Sequence, residues 1–197
     1  FKEYENKRVV IDAPIFMYKF ASYCDEKIVD HFKDQIKMLQ SFNITPTYIF
    51  DGKSVEIKQE ELNKRKVEKR KVEETFIQTK SEFEHVQKKT KTANSFIEFA
   101  DAKAKYLKAK QRYDSIPKSS DYTNVQTMLK EMNVCLVFAP NDAEKLCAQY
   151  VAEKKADLVI SEDFDVLPYL CAYGQEGCLL TGVGKPIMVE YSLQKVL

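Results

Sequence analysis

Short apolar runs that stop at a carboxylate recur along this chain. Arg8-Val-Val-Ile-Asp12 is β-branched and reads as a buried strand. A helical stretch is predicted over about residues 14–42, where Ile28, Phe32, Ile36 and Leu39 recur at near-helical spacing. Thr47-Tyr-Ile-Phe-Asp51 predicts a second strand ending in an acid, with Gly52 as the turn. Val134-Cys-Leu-Val-Phe138 predicts a third buried strand, and Asn141-Asp142-Ala-Glu144 opens a helix to about Lys154. Asp157-Leu-Val-Ile-Ser161 predicts a fourth strand, followed at once by Glu162-Asp163-Phe-Asp165. Residues 178–181 and 187–190 predict a hairpin around 182–186, and 192–197 the first turn of a helix. Strands alternating with helices imply an α/β fold: one domain over 1–197, with a mainly parallel sheet and helices on both faces. Ligands of such sheets bind beyond the C-terminal strand ends, where these acids fall.

Residues 54–130 break the pattern. They are charged and almost free of Gly and Pro, with sparse apolar positions such as Phe76, Phe83, Phe99, Tyr106 and Tyr113. Two or more long helices standing off the core are predicted, the second ending near Ile116-Pro117. Ser119-Ser120-Asp121 would cap a last helix returning to the core. The periodicity alone fits a solvated coiled-coil hairpin without function equally well. Charge changes that picture. Residues 58–118 carry 17 Lys and Arg against 10 Asp and Glu, whereas the rest of the chain carries 14 against 20. A basic insertion on an acidic core can hold phosphates on one side and cations on the other.

The apolar fraction, 44% of 197 residues, suffices for one hydrophobic core. The longest apolar runs are strand-sized, so no membrane span is expected. Cys24, Cys135, Cys147, Cys171 and Cys178 are odd in number and lack C-x-x-C spacing. They are expected to be reduced core residues of an intracellular protein. His31 and His85 have no partners at zinc spacing and are expected on helix surfaces. Gly182-Val-Gly-Lys185-Pro186 is not a phosphate-binding loop, because the Gly spacing is wrong and no Ser or Thr follows the Lys.

Asp12, Asp51, Asp142, Glu144, Asp163 and Asp165 are the candidate chemistry, with Glu162 as an extra. Carboxylates gathered at one sheet edge repel, and hard divalent cations relieve that repulsion. Oxygen-only donors favour Mg²⁺, Mn²⁺ or Ca²⁺ over zinc. Two such metals in an acidic pocket suit phosphodiester hydrolysis. An acid at a helix start is stabilised anyway, so a helix cap is the alternative reading of Asp142.

Four ordered stretches carry a resemblance: 9–18 (Val-Val-Ile-Asp-Ala-Pro-Ile-Phe-Met-Tyr), 48–53 (Tyr-Ile-Phe-Asp-Gly-Lys), 139–148 (Ala-Pro-Asn-Asp-Ala-Glu-Lys-Leu-Cys-Ala) and 161–167 (Ser-Glu-Asp-Phe-Asp-Val-Leu). In order and separation they resemble the flap endonuclease/XPG family of structure-specific 5′ nucleases. That resemblance implies a PIN-like core with two Mg²⁺ ions, for which Mn²⁺ can substitute. Asp51, Asp142 and Glu144 would serve one ion. Glu144, Asp163 and Asp165 would serve the other, with Asp12 nearby. The inserted segment would be the helical arch through which a single-stranded 5′ end passes. Lys58 and Arg65 would act catalytically on the scissile phosphate. Lys64, Lys69 and Arg70 would add phosphate contacts, and Tyr18 would stack on a base.

The implied substrate is DNA with a 5′ flap or free 5′ end. The implied setting is a monomer, nuclear if eukaryotic, that binds a sliding clamp through a C-terminal tail. The sequence also departs from the family pattern. The Met-Gly-Ile-type start is absent, the insertion between Arg65 and Asp142 is longer, and Asp142 stands where the family has Glu. The family's Gly-x-Asp-Tyr motif and duplex-gripping helices are not found within residues 1–197. A PIN-like ribonuclease or 5′→3′ exoribonuclease would present the same acids, and a non-catalytic nucleic-acid-binding scaffold could keep the fold.

Overall fold

A computed structural model describes residues 2–23, 27–52, 59–89, 93–173, 177–183 and 188–193. After a short 3-10 turn, Lys2–Tyr4, come β1 (Arg8–Asp12), α1 (Ala13–Tyr23), α2 (Ile28–Ser41) and β2 (Thr45–Phe50). The long helices α3 (Gln59–Lys89) and α4 (Ala93–Asp114) follow, then α5 (Ser119–Glu131) and β3 (Cys135–Phe138). The chain continues through α6 (Ala143–Ala152), β4 (Leu158–Ile160), α7 (Val166–Ala172), β5 (Gly177–Thr181) and β6 (Val189–Leu193).

The strands form one sheet in the order β3-β2-β1-β4-β5-β6. All neighbours are parallel except β5 and β6, which pair as the expected hairpin. Alternate side chains point to opposite faces of a strand. Val9, Ile11, Tyr48, Phe50, Leu158, Ile160 and Leu180 face one core. There they meet Phe16, Met17 and Phe20 of α1, Phe32, Ile36 and Leu39 of α2, and Val125, Met128 and Leu129 of α5. Val10, Ile49, Val159 and Leu179 face the other core, against Ala143, Cys147, Ala148 and Val151 of α6 and Val166 and Leu170 of α7. Fully buried side chains such as Phe16, Phe32, Ile36 and Leu39 each stabilise the fold by roughly 1.5–3 kcal/mol. Where β1 is flanked by β2 on one side and β4 on the other, the chain order reverses. That reversal leaves a crevice at the C-terminal strand ends.

The structure corrects several expectations. The stretch over 14–42 is two helices, with Lys27 in extended conformation before α2. Alpha1 is apolar on most sides and sinks into the core, whereas α2 buries only one stripe. Strand β3 is an edge strand rather than a buried one, because nothing flanks it beyond β2. Its Cys135 and Phe138 are exposed. Cys171 is exposed as well, so only Cys147 among the described cysteines is fully buried, and all four are free. His31 is half-buried against the Phe20 and Tyr23 rings, while His85 lies on the surface as expected. Lys118 takes the cap position of α5, where Asp121 accepts its backbone N–H at 2.8 Å. Val189 and Glu190 form the expected strand, but Ser192 and Leu193 continue it rather than opening a helix, because they too pair with β5; 194–197 lie outside the described residues.

Alpha3 and α4 lie antiparallel, held by a ladder of rings. Phe76 stacks on Tyr113 at 4.6 Å, Phe83 on Tyr106 at 5.2 Å, and Phe83 meets Phe99 at 5.4 Å. The sparse aromatics of the charged segment are thus the hairpin's seam. Ile77, Phe96, Ile97 and Leu107 remain exposed.

Candidate active site

Each acid is delivered by the end of a core element. Asp12 closes β1 and is only 2% exposed. Its Oδ2 accepts the Ser161 hydroxyl at 3.0 Å, and the Ser161 Oγ accepts the Asp163 N–H at 3.0 Å. One serine therefore ties the end of β1 to the turn after β4. The Asp163 carboxylate in turn accepts the Asp165 N–H at 3.0 Å, fixing that turn. Asp51 follows β2, and its Oδ1 accepts the Ala143 N–H at 3.0 Å, capping the first turn of α6. Asp142 is the residue before α6 but makes no side-chain cap of its own helix; Asp51 fills that role. Gly52 lets this happen. A Cβ there would lie 1.7 Å from the Ala139 carbonyl oxygen, so only glycine permits β2 to approach the 139–141 loop so closely.

Asp12, Asp51, Glu144, Asp163 and Asp165 line one cleft of about 780 Å³. None of these five forms an ion pair with a described residue. The contrast with the opposite sheet end is direct. There Asp157 pairs with the Arg8 guanidinium at 3.0 Å, and Arg8 holds its carboxyl below the usual range. In the cleft the shifts run the other way. Burial, and then Glu144, Asp51 and Asp163, push Asp12 up to about 7 against the hydrogen bond from Ser161. Burial also raises Glu144, with Asp163, Asp165, Asp51 and Asp142 adding to it. Asp142 is thus within electrostatic reach, though it does not line the cleft. Such a donor set, all oxygen and uncompensated, suits a hard divalent cation. Among the described residues no three acidic, Cys or His side chains come close enough to form a metal cage.

Glu162 is not part of this group. Its carboxylate accepts the Lys19 ammonium at 2.8 Å and the Gly182 N–H at 3.1 Å, so it anchors the loop to α1 and β5.

The hairpin's share of the lining is mainly basic, with Glu68 among its cations. Arg65, Lys66 and Lys69 of α3 and Arg112 of α4 line the cleft opposite the acids. The Lys69 ammonium sits 5.5 Å from the centre of the Tyr18 ring, so two expected nucleic-acid contacts meet across the cleft. Lys64 and Arg70 point elsewhere: both are exposed and neither lines the cleft. Positions 65, 69 and 72 share one helical stripe, and that stripe turns toward the core. Lys58 lies outside the described residues. Lys66, Arg112 and Tyr122 were missed by the sequence reading. The charge surplus of 58–118 pointed to the segment but not to the face that docks.

A parallel sheet with an acid-lined cleft at its switch point, faced by a basic helical hairpin, defines the PIN-like class of nuclease folds. Residues 1–72 match the XPG N-terminal domain and residues 133–181 the XPG I-region. The chain is 30% identical over 210 residues to Flap endonuclease 1 of Entamoeba dispar, across 99% of this chain and 50% of that one. It is 26% identical over 200 residues to the probable RAD2-like endonuclease 369L of Invertebrate iridescent virus 6, across 84% and 48%. Among solved structures, the catalytic core of Rad2 in complex with DNA substrate superposes with a TM-score of 0.61 at 21% identity, covering 97% of this chain and 48% of that one. Flap endonuclease-1 from Methanococcus jannaschii gives 0.59 at 20%, covering 100% and 60%. The chain belongs to the flap endonuclease/XPG family. It spans about half the length of the curated relatives it matches.

Proposed function

We propose that this chain carries the catalytic core of a metal-dependent 5′ nuclease that hydrolyses phosphodiester bonds in DNA with a 5′ flap or free 5′ end. One observation supports it most. Five uncompensated carboxylates face Arg65, Lys66, Lys69 and Arg112 across a single cleft. In this reading Asp51, Asp142 and Glu144 hold one Mg²⁺, and Glu144, Asp163 and Asp165 a second, with Asp12 beside them; Mn²⁺ can replace either. The ions supply Lewis acidity and an activated water.

The protein's own residues do the positioning. The basic stripe of α3, together with Arg112, takes the phosphate backbone and neutralises it. Tyr18 offers its ring to a base next to the scissile bond. Ser161 and the Ala143 N–H fix the Asp12 and Asp51 carboxylates before substrate arrives, so little reorganisation remains.

The test uses a labelled 5′-flap duplex with Mg²⁺ and a matched RNA flap. DNA cleavage is expected, and the doubly substituted Asp163→Asn, Asp165→Asn protein should lose it by about a thousandfold. A double variant as active as the parent sinks the assignment. Preferential cleavage of the RNA flap reassigns the substrate.

A further inference from the structure

The cleft holds one polar group that the account above leaves idle. Tyr122 lies in the first turn of α5, with its ring half-buried against the same core that α1 and α2 cover. Its hydroxyl makes no hydrogen bond to a described residue. Its side chain nonetheless lines the cleft beside Tyr18, Asp51, Ile15 and Ile116. Burial raises the phenol above its usual range, with Tyr18 and Asp51 adding to the rise, so it remains an O–H donor.

A buried tyrosine ring normally finds a partner for its hydroxyl. Here the ring packs against the core, the residue lines the cleft, and the hydroxyl has no partner among the described residues. The cleft it lines carries the Tyr18 ring and the aliphatic side chains of Ile15 and Ile116 together with carboxylates such as Asp51. That combination suits a nucleotide: a flat base against Tyr18, Ile15 and Ile116, and oxygen acceptors within reach of a donor. Tyr18 comes from α1 and Tyr122 from α5, so the two rings enter from separate elements.

We propose that Tyr122 is a substrate-contacting residue whose hydroxyl donates to an oxygen of the nucleotide stacked on Tyr18, so that the two tyrosines bracket that nucleotide. The inference rests on the nucleotide-binding reading of the cleft. It adds a contact from α5, outside both the acidic motifs and the basic hairpin.

The experiment uses the whole chain and a 5′-flap duplex. Affinity is measured by fluorescence anisotropy in EDTA, and kcat and KM in Mg²⁺. Tyr122→Phe keeps the ring and its packing and removes only the donor. Its Kd and KM should rise about three- to tenfold, with kcat within about twofold and the melting temperature unchanged. A structural role would instead move the melting temperature and kcat. Unchanged Kd and KM in Tyr122→Phe, alongside a wild type that cleaves, overturn this inference and leave the nuclease assignment standing. A wild type that binds the duplex in EDTA but does not cleave sinks the nuclease assignment, while the Kd comparison still decides on Tyr122. A second measurement does not depend on a folded variant. Flap DNA with 5-iodouracil beside the scissile phosphate should photocrosslink to the wild-type peptide containing Tyr122; crosslinks confined to other peptides overturn the proposal.

Discussion

The sheet and the α3–α4 hairpin hold their charges in different ways. At the sheet's edge the acids are preset. Asp12 is buried under Ser161, Asp51 is capped onto the Ala143 N–H, and the Asp163 carboxylate holds the Asp165 N–H. Of the hairpin cations that line the cleft, Lys66 and Arg112 have no ion pair to a described residue, and Lys69 lies over the Tyr18 ring. The cores differ in the same sense. The sheet is covered on both faces, whereas the hairpin is sealed by one row of rings and leaves Phe96 and Ile97 exposed. Half of the site is therefore a rigid template and the other half an adjustable clamp. In the proposed function, chemistry that needs sub-ångström placement would fall on the first, and capture of a variable backbone on the second.

That division can be broken at its stiffest point first. Gly52→Ala places a Cβ on the Ala139 carbonyl and should cost at least about 3 kcal/mol in chemical denaturation. Activity should fall with it, because Asp51 must move. A variant of full stability would mean that the β2 end is not rigid.

The second effect concerns pH. Burial and its acidic neighbours raise Asp12 from the ordinary carboxylate range to about 7, so between those values the folded protein without metal binds a proton that the unfolded chain has released. Stability in EDTA should be greatest below pH 4 as far as this group is concerned, and should decline as pH rises toward 7. Asp12→Asn should flatten that decline. A parallel slope in the variant would place its origin elsewhere.

Ser161→Ala removes one donor to Asp12 and one acceptor for the Asp163 N–H. About 1–3 kcal/mol of stability should be lost, read as a lower denaturation midpoint with unchanged m-value.

Phe76→Ala breaks the stack on Tyr113 and should cost the hairpin about 1 kcal/mol. Amide exchange should quicken in α3 and α4 while β1 and β4 stay protected; equal loss of protection in the strands would merge the two regions.

The smallest effect is Lys69→Ala, which should reduce the salt dependence of DNA binding by about one phosphate's worth and leave melting unchanged.

The strands and their terminal acids were legible because a buried strand is written in a short β-branched run. A parallel sheet puts the ends of such runs together. The hairpin was legible as helix from its length and lack of Gly and Pro, and as basic from its charge. Which stripe faces the cleft was not. Periodicity states that residues 65, 69 and 72 share a side, but the docking of the hairpin on the core decides that this side turns inward. Lys64 and Arg70 therefore lie off the cleft, while Lys66 and Arg112 line it. Tyr122 was hidden for the same reason, since an aromatic in an amphipathic helix reads as core. The break before α2 and the edge position of β3 follow from tertiary neighbours, and hydropathy does not encode those.

The bond between Ser161 and Asp12 spans 149 residues of sequence. Contacts of such separation form late, after local elements are in place. During synthesis β1 and β2 can pair early, and the hairpin can zip along its own seam. Until Leu158–Ile160 has been made and inserted beside β1, that strand is an open edge and Asp12 faces water. The acidic cleft therefore comes into being only after both flanks of the sheet exist, so a half-made chain carries the basic arm before it carries the assembled acids.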